Sequence, residues 1–296
     1  MTLPYTLTLV VRREAGVLPP AVIEQARELV SGAPPVILSD GEAVDIPCPP
    51  LTAWGPGLEE IRAGFEGQPI DVLLTRTRGR RKGLLVADMD STIVASETLD
   101  ELAALAGVGE RVAEITRRSM NGEIDFAAAL RERVALLRGK PASLLKTTWA
   151  DTHLTPGART LVATMRAHNA STALVSGGFT WFTGRVAELC GFDIHHANQL
   201  GIDRDRLTGT VAEPILGRAA KLESLRSLAE SRGLRMAATL AVGDGANDLD
   251  MLREAGLGVA YHARPVVSAA IHNRIDHADL RALLFAQGYR LADFVE

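Results

Sequence analysis

The sequence predicts an α/β protein in two parts: a small βαββαβ module, then a larger unit built on a mostly parallel sheet with a helical insertion. Three observations carry this. Before residue 76 the apolar residues alternate in short runs, whereas from Leu84 onward they form continuous runs separated by helical patterns, as strands buried on both faces require. A basic run, Arg76, Arg78, Arg80, Arg81 and Lys82, broken by Gly79 and closed by Gly83, marks the change. Between the first two long-unit strands, the stretch from about Ser96 to Thr155 carries helical patterning and no strand, too long for an ordinary crossover.

The elements follow in order. Leu3, Tyr5, Leu7, Leu9 and Val11 alternate as in a strand; with no basic leader and no small-residue cleavage site, this is not a signal peptide. Val22, Ala26, Leu29 and Val30 fall at helical spacing, and two extended pieces, Pro35–Leu38 and Ala43–Ile46, flank the turn-prone Ser39-Asp40-Gly41. Leu58, Ile61 and Phe65 share a helical face, and Ile70, Val72 and Leu74 alternate again. That order is the split βαβ arrangement over 1–76. The basic run at 77–83 reads as a solvated linker; as a nucleic-acid patch it lacks interleaved aromatics. In 84–296 the candidate strands are Leu84–Ala87, Thr172–Val175, Ala238–Val242 and Leu257–Ala260, a helical cap occupies about 96–155, and Asn198 to Val211 resembles a hairpin.

Composition narrows the functional classes. Of 296 residues, 47% are hydrophobic and 23% charged, ordinary for a globular chain, so neither disorder nor a fibrous repeat is suggested. A formal net charge of −4 gives no whole-chain attraction to nucleic acid or to an anionic membrane. No apolar run reaches the roughly 18 residues of a membrane span. The expectation is a cytoplasmic protein. Cys48 and Cys190 stand far apart without CxxC or Cys/His spacing, and read as buried thiols rather than a zinc or redox site.

The chemistry gathers at strand ends. Leu84–Ala87 runs into Asp88-Met89-Asp90-Ser91-Thr92, which places two carboxylates at the C-terminal end of a buried strand, where α/β sheets form their ligand crevice. A calcium loop or an N-cap pair is the plainer alternative, but the glycine of an EF-hand would fall at Ile93. An aspartate is ionised at neutral pH and can attack phosphorus without an activating base. Its obstacle is repulsion by the phosphate, which a hard divalent cation such as Mg²⁺ screens if a further carboxylate helps to hold it. The strand Ala238–Val242 supplies one, ending in Gly243-Asp244-Gly245-Ala246-Asn247-Asp248, although Asp-Gly and Asn-Asp also make ordinary turns. A third strand ends at Ser176-Gly177-Gly178, whose hydroxyl and amides suit phosphoryl oxygens ahead of a helix near Thr180; it could equally be a helix-entry turn. It is not a hydrolase elbow, which needs glycine at Leu174. Lys221 opens the helix Lys221–Ser231, against the helix dipole unless an anion is near.

In order, Asp88-x-Asp90-x-Thr92, Ser176, Lys221 and Gly243-Asp244-Gly245-x-Asn247-Asp248 resemble the four motifs of the haloacid dehalogenase-like phosphohydrolases, over roughly Gly83 to the C-terminus. Asp88–Thr92, Val175–Phe179 and Gly243–Asp248 are most similar to the phosphoserine-hydrolysing branch, and the first module resembles, more weakly, the ACT-like modules attached to bacterial members. The resemblance implies a Rossmann-like sheet with an inserted cap and Mg²⁺-dependent hydrolysis of O-phosphoserine, the last step of serine biosynthesis, through an aspartyl phosphate. It makes Asp88 the nucleophile and Asp90 the acid and base, with Ser176 and Lys221 on the phosphoryl oxygens. The metal falls to Asp88, Asp244 and the main-chain carbonyl of Asp90, supported by Asn247 and Asp248. Asp90 is then expected to have a raised pKa from nearby carboxylates and partial burial. For the seryl head group the resemblance picks Glu97 for the ammonium and Arg133 for the carboxylate, with Met120 and Phe126 as apolar wall and Ser176, Gly177 and Asn247 lining the pocket; without it these are ordinary cap residues. The implied partner is a small molecule, with no nucleic acid and no membrane, and the family suggests a dimer through the first module. Phosphoryl transfer to homoserine and an amino-acid-sensing role for the first module are the two competing readings.

Overall fold

The computed structural model describes residues 3–51, 57–120 and 123–296. The first module contains β1 (Tyr5–Val11), α1 (Pro20–Leu29), β2 (Val36–Ser39), β3 (Ala43–Cys48), α2 (Leu58–Ala63) and β4 (Ile70–Arg76). Helix α1 starts on Pro20, whose missing N–H lies in the first turn, where amides have no helical acceptor. The strands form an antiparallel sheet in the order β2-β3-β1-β4. Leu7, Leu9, Val44, Ile46 and Val72 point to the helices and pack on Val22, Ala26 and Ile61. The alternating positions are buried as well: Thr6, Thr8, Asp45 and Asp71 are under 9% exposed, and Val10, Ala43 and Leu73 join the core of the larger unit. The module therefore docks by its sheet face.

That docking departs from the solvated reading of the basic run at Arg80, while Arg76, Arg78 and Arg81 stay exposed. The Arg80 guanidinium donates to Asp45 and Thr8 of the module and to the carbonyls of Phe285 and Ala286 in the larger unit. Arg81 pairs with Asp293 and stacks over the Tyr289 ring at 4.1 Å. The physical reason is Asp45, a carboxylate on the docked sheet face that needs a cation once water is gone.

The larger unit runs β5 (Leu84–Ala87), α3 (Thr98–Leu105), α4 (Gly109–Met120), α5 (Phe126–Ala135), α6 (Leu144–Asp151), α7 (Ala158–Ala167), β6 (Ser171–Phe179), α8 (Thr180–Cys190), β7 (Ile194–Asn198), β8 (Leu200–Asp203), β9 (Arg206–Val211), α9 (Arg218–Ser231), β10 (Thr239–Gly243), α10 (Leu249–Glu254), β11 (Leu257–Tyr261), α11 (Pro265–Ser268), β12 (Asn273–Ile275) and α12 (Ala282–Ala286). Six strands form a parallel sheet in the order β12-β11-β10-β5-β6-β7. The continuous run of β5 is explained by burial on both faces, with Leu84 to Ala87 at most 1% exposed. The next strand in the chain, β6, lies on one side of β5 and the later β10 on the other, so β5 is the topological switch point. Strands β7 and β12 were not foreseen. Ile194-His195-His196-Ala197-Asn198 has no apolar run, and β12 is only three residues long; both lie at sheet edges, where one side needs no apolar cover.

Helices α3–α6 form the insertion, and the antiparallel β8–β9 hairpin attaches to it. Gly139 N–H donates to Leu207 O and Leu207 N–H to the Lys140 carbonyl. The insertion leaves and rejoins the sheet unit through paired segments, with Val94 bridging Leu154 and Ala95 N–H donating to His153 O. The hairpin's two connections are tied by Asn198, whose amide donates to Gly177 O and Leu216 O while its oxygen accepts from Leu216 N–H. Among the described residues no helix is long and apolar enough to cross a membrane.

Candidate active site

Strands β5, β6 and β10 end side by side, so their following residues converge. Asp88 leaves β5 with its N–H donating to Val242 O at 3.0 Å and its side chain buried. The chain then makes a wide turn through Met89–Ile93, with Ser91 in the left-handed region at φ 55°. Asp90 is thereby carried over the end of β6, where Ser176 Oγ lies 3.4 Å from Asp90 Oδ2 and Gly178 N–H donates to Ser176 Oγ at 2.8 Å. A Cβ on Gly178 would stand 3.0 Å from Asp90 Oδ2, so glycine is what permits this approach. The other oxygen of Asp90 accepts from Thr98 N–H, the first residue of α3, at 2.9 Å.

Lys221 does not open its helix. Helix α9 begins at Arg218 behind Gly217, and Lys221 sits one turn inside with its N–H donating to Gly217 O. The expected dipole conflict is thus absent. Its side chain is fully buried, and Nζ donates to Asp88 Oδ1 and Asp248 Oδ1, each at 2.6 Å. Asp248 also accepts from Gly245 N–H through Oδ2 at 3.1 Å.

Negative charge is in excess here. Asp88, Asp90, Glu97, Asp244 and Asp248 meet Lys221, Arg264 and, at longer range, Arg133. Burial, then repulsion from Glu97 and Asp88, pushes Asp90 up to about 7, the direction expected of it. Burial and the charges of Asp88, Asp248 and Glu97 push Asp244 up to about 8. Burial and Asp88 likewise raise Asp248, against the pull of Lys221. Burial alone would lower Lys221, but Asp248 and Asp88 hold it above the ordinary lysine value. Carboxylate oxygens of Asp88, Asp244 and Asp248 lie within 4.8 Å of one another, a buried cluster able to hold a metal ion. All three donors are hard oxygens, and the raised pKa values of Asp244 and Asp248 mark charge that a cation would relieve; the site fits Mg²⁺ in both respects.

A cavity of about 610 Å³ opens between these strand ends and the insertion. It is lined by Asp88, Asp90, Glu97, Phe126, Arg133, Ser176, Gly177, Asp244 and Asn247, so these sequence-derived candidates share one site. Lys221 and Asp248 lie beneath its wall, fully buried. The side chain of Met120 lies outside the described residues. Glu97 precedes α3 and accepts from Ser91 Oγ at 2.9 Å; burial and nearby Asp88 raise its pKa. Among the described residues Arg133 donates to Ala129 O at 3.4 Å and Thr116 Oγ1 at 3.5 Å, both long, and burial lowers its pKa. The Phe126 ring packs over Gly177, where an added Cβ would stand 2.9 Å from Cζ.

Sequence reasoning missed Arg264. Its guanidinium lies 3.9 Å from Glu97 Oε1 and 4.0 Å from Asp244 Oδ2, and its N–H donates to Asp244 O at 3.1 Å. The signal was present, because Arg264 follows the end of β11, another strand of the same crevice.

Residues 85–253 match the family of haloacid dehalogenase-like hydrolases. The chain belongs to that family. Among its relatives, the phosphoserine phosphatase of Streptomyces coelicolor is 44% identical over 222 residues, 75% of this chain and 54% of that protein. This hydrolase thus matches about half the length of that relative. The phosphoserine phosphatase of Lactococcus lactis is 41% identical over 203 residues, 69% of this chain and 94% of its own. The unliganded crystal structure of a probable phosphoserine phosphatase from Vibrio cholerae superposes with a TM-score of 0.79 at 34% identity, covering 98% of this hydrolase and 88% of that chain. The last match extends over the N-terminal module as well as the hydrolase fold.

Proposed function

We propose that this hydrolase cleaves O-phosphoserine to serine and phosphate in two steps through Asp88. The observation that carries the reading is the pairing at the end of β5: Asp88 is pinned by Lys221 through Oδ1, while Asp90, with its pKa raised to about 7, shares the same cavity. In the first step Asp88 Oδ2 forms a bond to phosphorus, the bond from phosphorus to the seryl oxygen breaks, and Asp90 gives that oxygen its proton. In the second step Asp90 takes a proton from water, the water oxygen bonds to phosphorus, and the bond to Asp88 breaks. Ser176 Oγ, the Gly177 amide and Lys221 Nζ hold the phosphoryl oxygens. Held by Asp88, Asp244 and the Asp90 carbonyl, with Asn247 and Asp248 in support, Mg²⁺ supplies the positive charge that lets a carboxylate approach a phosphate dianion.

Phosphoserine is the chosen monoester because Glu97 and Arg133 give the cavity an anion and a guanidinium suited to its ammonium and carboxylate. Glu97 takes the ammonium and Arg133, whose existing contacts are long, takes the carboxylate bidentately. Phe126 forms the apolar wall. The test measures phosphate release from phosphoserine, phosphothreonine and p-nitrophenyl phosphate, with and without Mg²⁺, in wild type and Asp88→Asn. Preference for phosphoserine, dependence on Mg²⁺ and a loss of at least roughly a thousandfold in the variant are expected. Undiminished turnover by Asp88→Asn, or the absence of an Asp88 hydroxamate when turnover is quenched with hydroxylamine, overturns the reading. The dimer through the N-terminal module is part of the proposal, and light scattering at monomer mass removes it.

A further inference from the structure

The N-terminal module grips the segment that lies behind Arg264. Asp71, on the docked face of β4 and 3% exposed, accepts from the backbone N–H groups of Asp276, His277 and Ala278, at 2.7 Å for the first and last and 3.2 Å for the middle one. Ala278 O in turn accepts from His262 Nε2 at 3.0 Å, which requires the Nε2–H tautomer, and His262 N–H donates to Ile275 O at 2.8 Å. His262 is held in the left-handed region at φ 41°, a conformation that a non-glycine residue keeps only when its surroundings fix it. Two residues on, Arg264 N–H bonds the Asp244 carbonyl and the Arg264 guanidinium faces Glu97 and Asp244. Hydrogen bonds joined by short backbone steps, across Ala278 and from His262 to Arg264, thus link a buried carboxylate in the module to a cation in the catalytic cavity.

We infer that Asp71 is a positioning residue of the active site: through the 276–278 amides and His262 it sets the place of Arg264, and Arg264 balances the Glu97–Asp244 acid pair while the cavity is empty. The inference rests on the reading of Glu97 as the ammonium site and Asp244 as a metal ligand. Arg264 then stands where two cations, the substrate ammonium and the metal, later arrive. Its charge competes with Mg²⁺ before substrate binds, and favours the phosphate and carboxylate afterwards. The carboxylate of Asp71 suits its task because both oxygens accept; an asparagine in its place would turn an NH₂ group toward amides that are themselves donors. The N-terminal module is on this view a structural part of the catalytic cavity.

The experiment measures two constants on the full chain: the Mg²⁺ dissociation constant by calorimetry without substrate, and KM for phosphoserine. Arg264→Ala is expected to tighten Mg²⁺ about threefold and raise KM about fivefold, modest because the guanidinium is partly solvated. Asp71→Asn is expected to shift both constants in the same directions. In the Arg264→Ala background, Asp71→Asn should move neither by more than about a factor of two. Asn273→Ala removes the side-chain bonds to Leu74 N–H and O in the same interface but off this path, and should leave both constants unchanged. If Asp71→Asn does not fold, His262→Phe breaks the chain at Ala278 while keeping a ring against Tyr261. Equal shifts with and without Arg264, or shifts in Asn273→Ala as large as those in Asp71→Asn, overturn the inference. Wild-type protein that binds no Mg²⁺ and releases no phosphate would instead remove the functional reading beneath it.

Discussion

Replacing Lys221 by methionine tests the electrostatic design of the site most directly. The ammonium is fully buried and bridges Asp88 and Asp248, so its loss leaves two buried carboxyls facing each other without a counter-charge. Breaking such a pair costs about 3–5 kcal/mol. With an unfolding entropy of about 2.1 cal/mol/K per residue, a chain of 296 residues loses roughly 5–8 °C in Tm. The cost must depend on pH. Asp248 already has a folded-state pKa raised to about 7, and losing Lys221 removes the charge that pulls it down. An acid raised on folding contributes stability below its unfolded pKa, near 4, and that contribution fades as pH climbs through the folded value. At pH 5.5 the variant can protonate the pair; at pH 8 it cannot do so without a large penalty. Thermal melts in EDTA at these two pH values should therefore show a Tm deficit that is larger at pH 8. Equal deficits at both, or a deficit below about 1 °C at pH 8, would refute the reasoning.

Other outcomes follow from the same geometry. Asp90→Asn should lower kcat/KM, which reports the first step, far more for phosphoserine than for p-nitrophenyl phosphate, because nitrophenolate leaves without a proton; equal losses in kcat/KM would deny Asp90 its acid role. Mg²⁺ should raise Tm more at pH 8 than at pH 6, since Asp244, raised to about 8, must lose its proton to serve as ligand; calorimetry in buffers of different ionisation enthalpy should show proton release on binding, and none would count against Asp244. Arg80→Ala should destabilise the chain by about 3–4 kcal/mol, because it strands Asp45 and two carbonyls at the docked face; a change within about 0.5 kcal/mol in denaturant melts would show that the staple is idle.

The strand ends were legible because strands buried on both faces read as unbroken apolar runs, and the polar residues that stop them are the ones that face the crevice. Asp88, Ser176 and Asp244 emerged from that logic alone. Glu97 and Arg133 did not; their approach to the cavity depends on how the insertion folds back, and only family resemblance selected them. Lys221 was placed one turn wrong because Arg218, Ala219 and Ala220 continue the helix backwards to Gly217, a start set by a backbone turn that has no strong side-chain cap. The docking of the polar half of β1, β3 and β4 has no sequence signal, since nothing local in Thr6, Thr8, Asp45 or Asp71 distinguishes a docked face from a wet one. Arg264 escaped notice for a related reason: its neighbours Glu97 and Asp244 are distant in sequence.

The hydrogen bonds that weld the β8–β9 hairpin to Gly139 and Lys140 have a mechanical consequence. Helices α3–α6 and the hairpin travel as one body, and that body is joined to the sheet by four crossings of the chain, gathered at two pivots: the Val94–Leu154 bridge and the turn clasped by Asn198. A body hung at two points swings about the line between them and cannot slide along it. Rotation about that line is the movement such anchoring favours for admitting substrate, and a crosslink across either pivot is expected to restrict it.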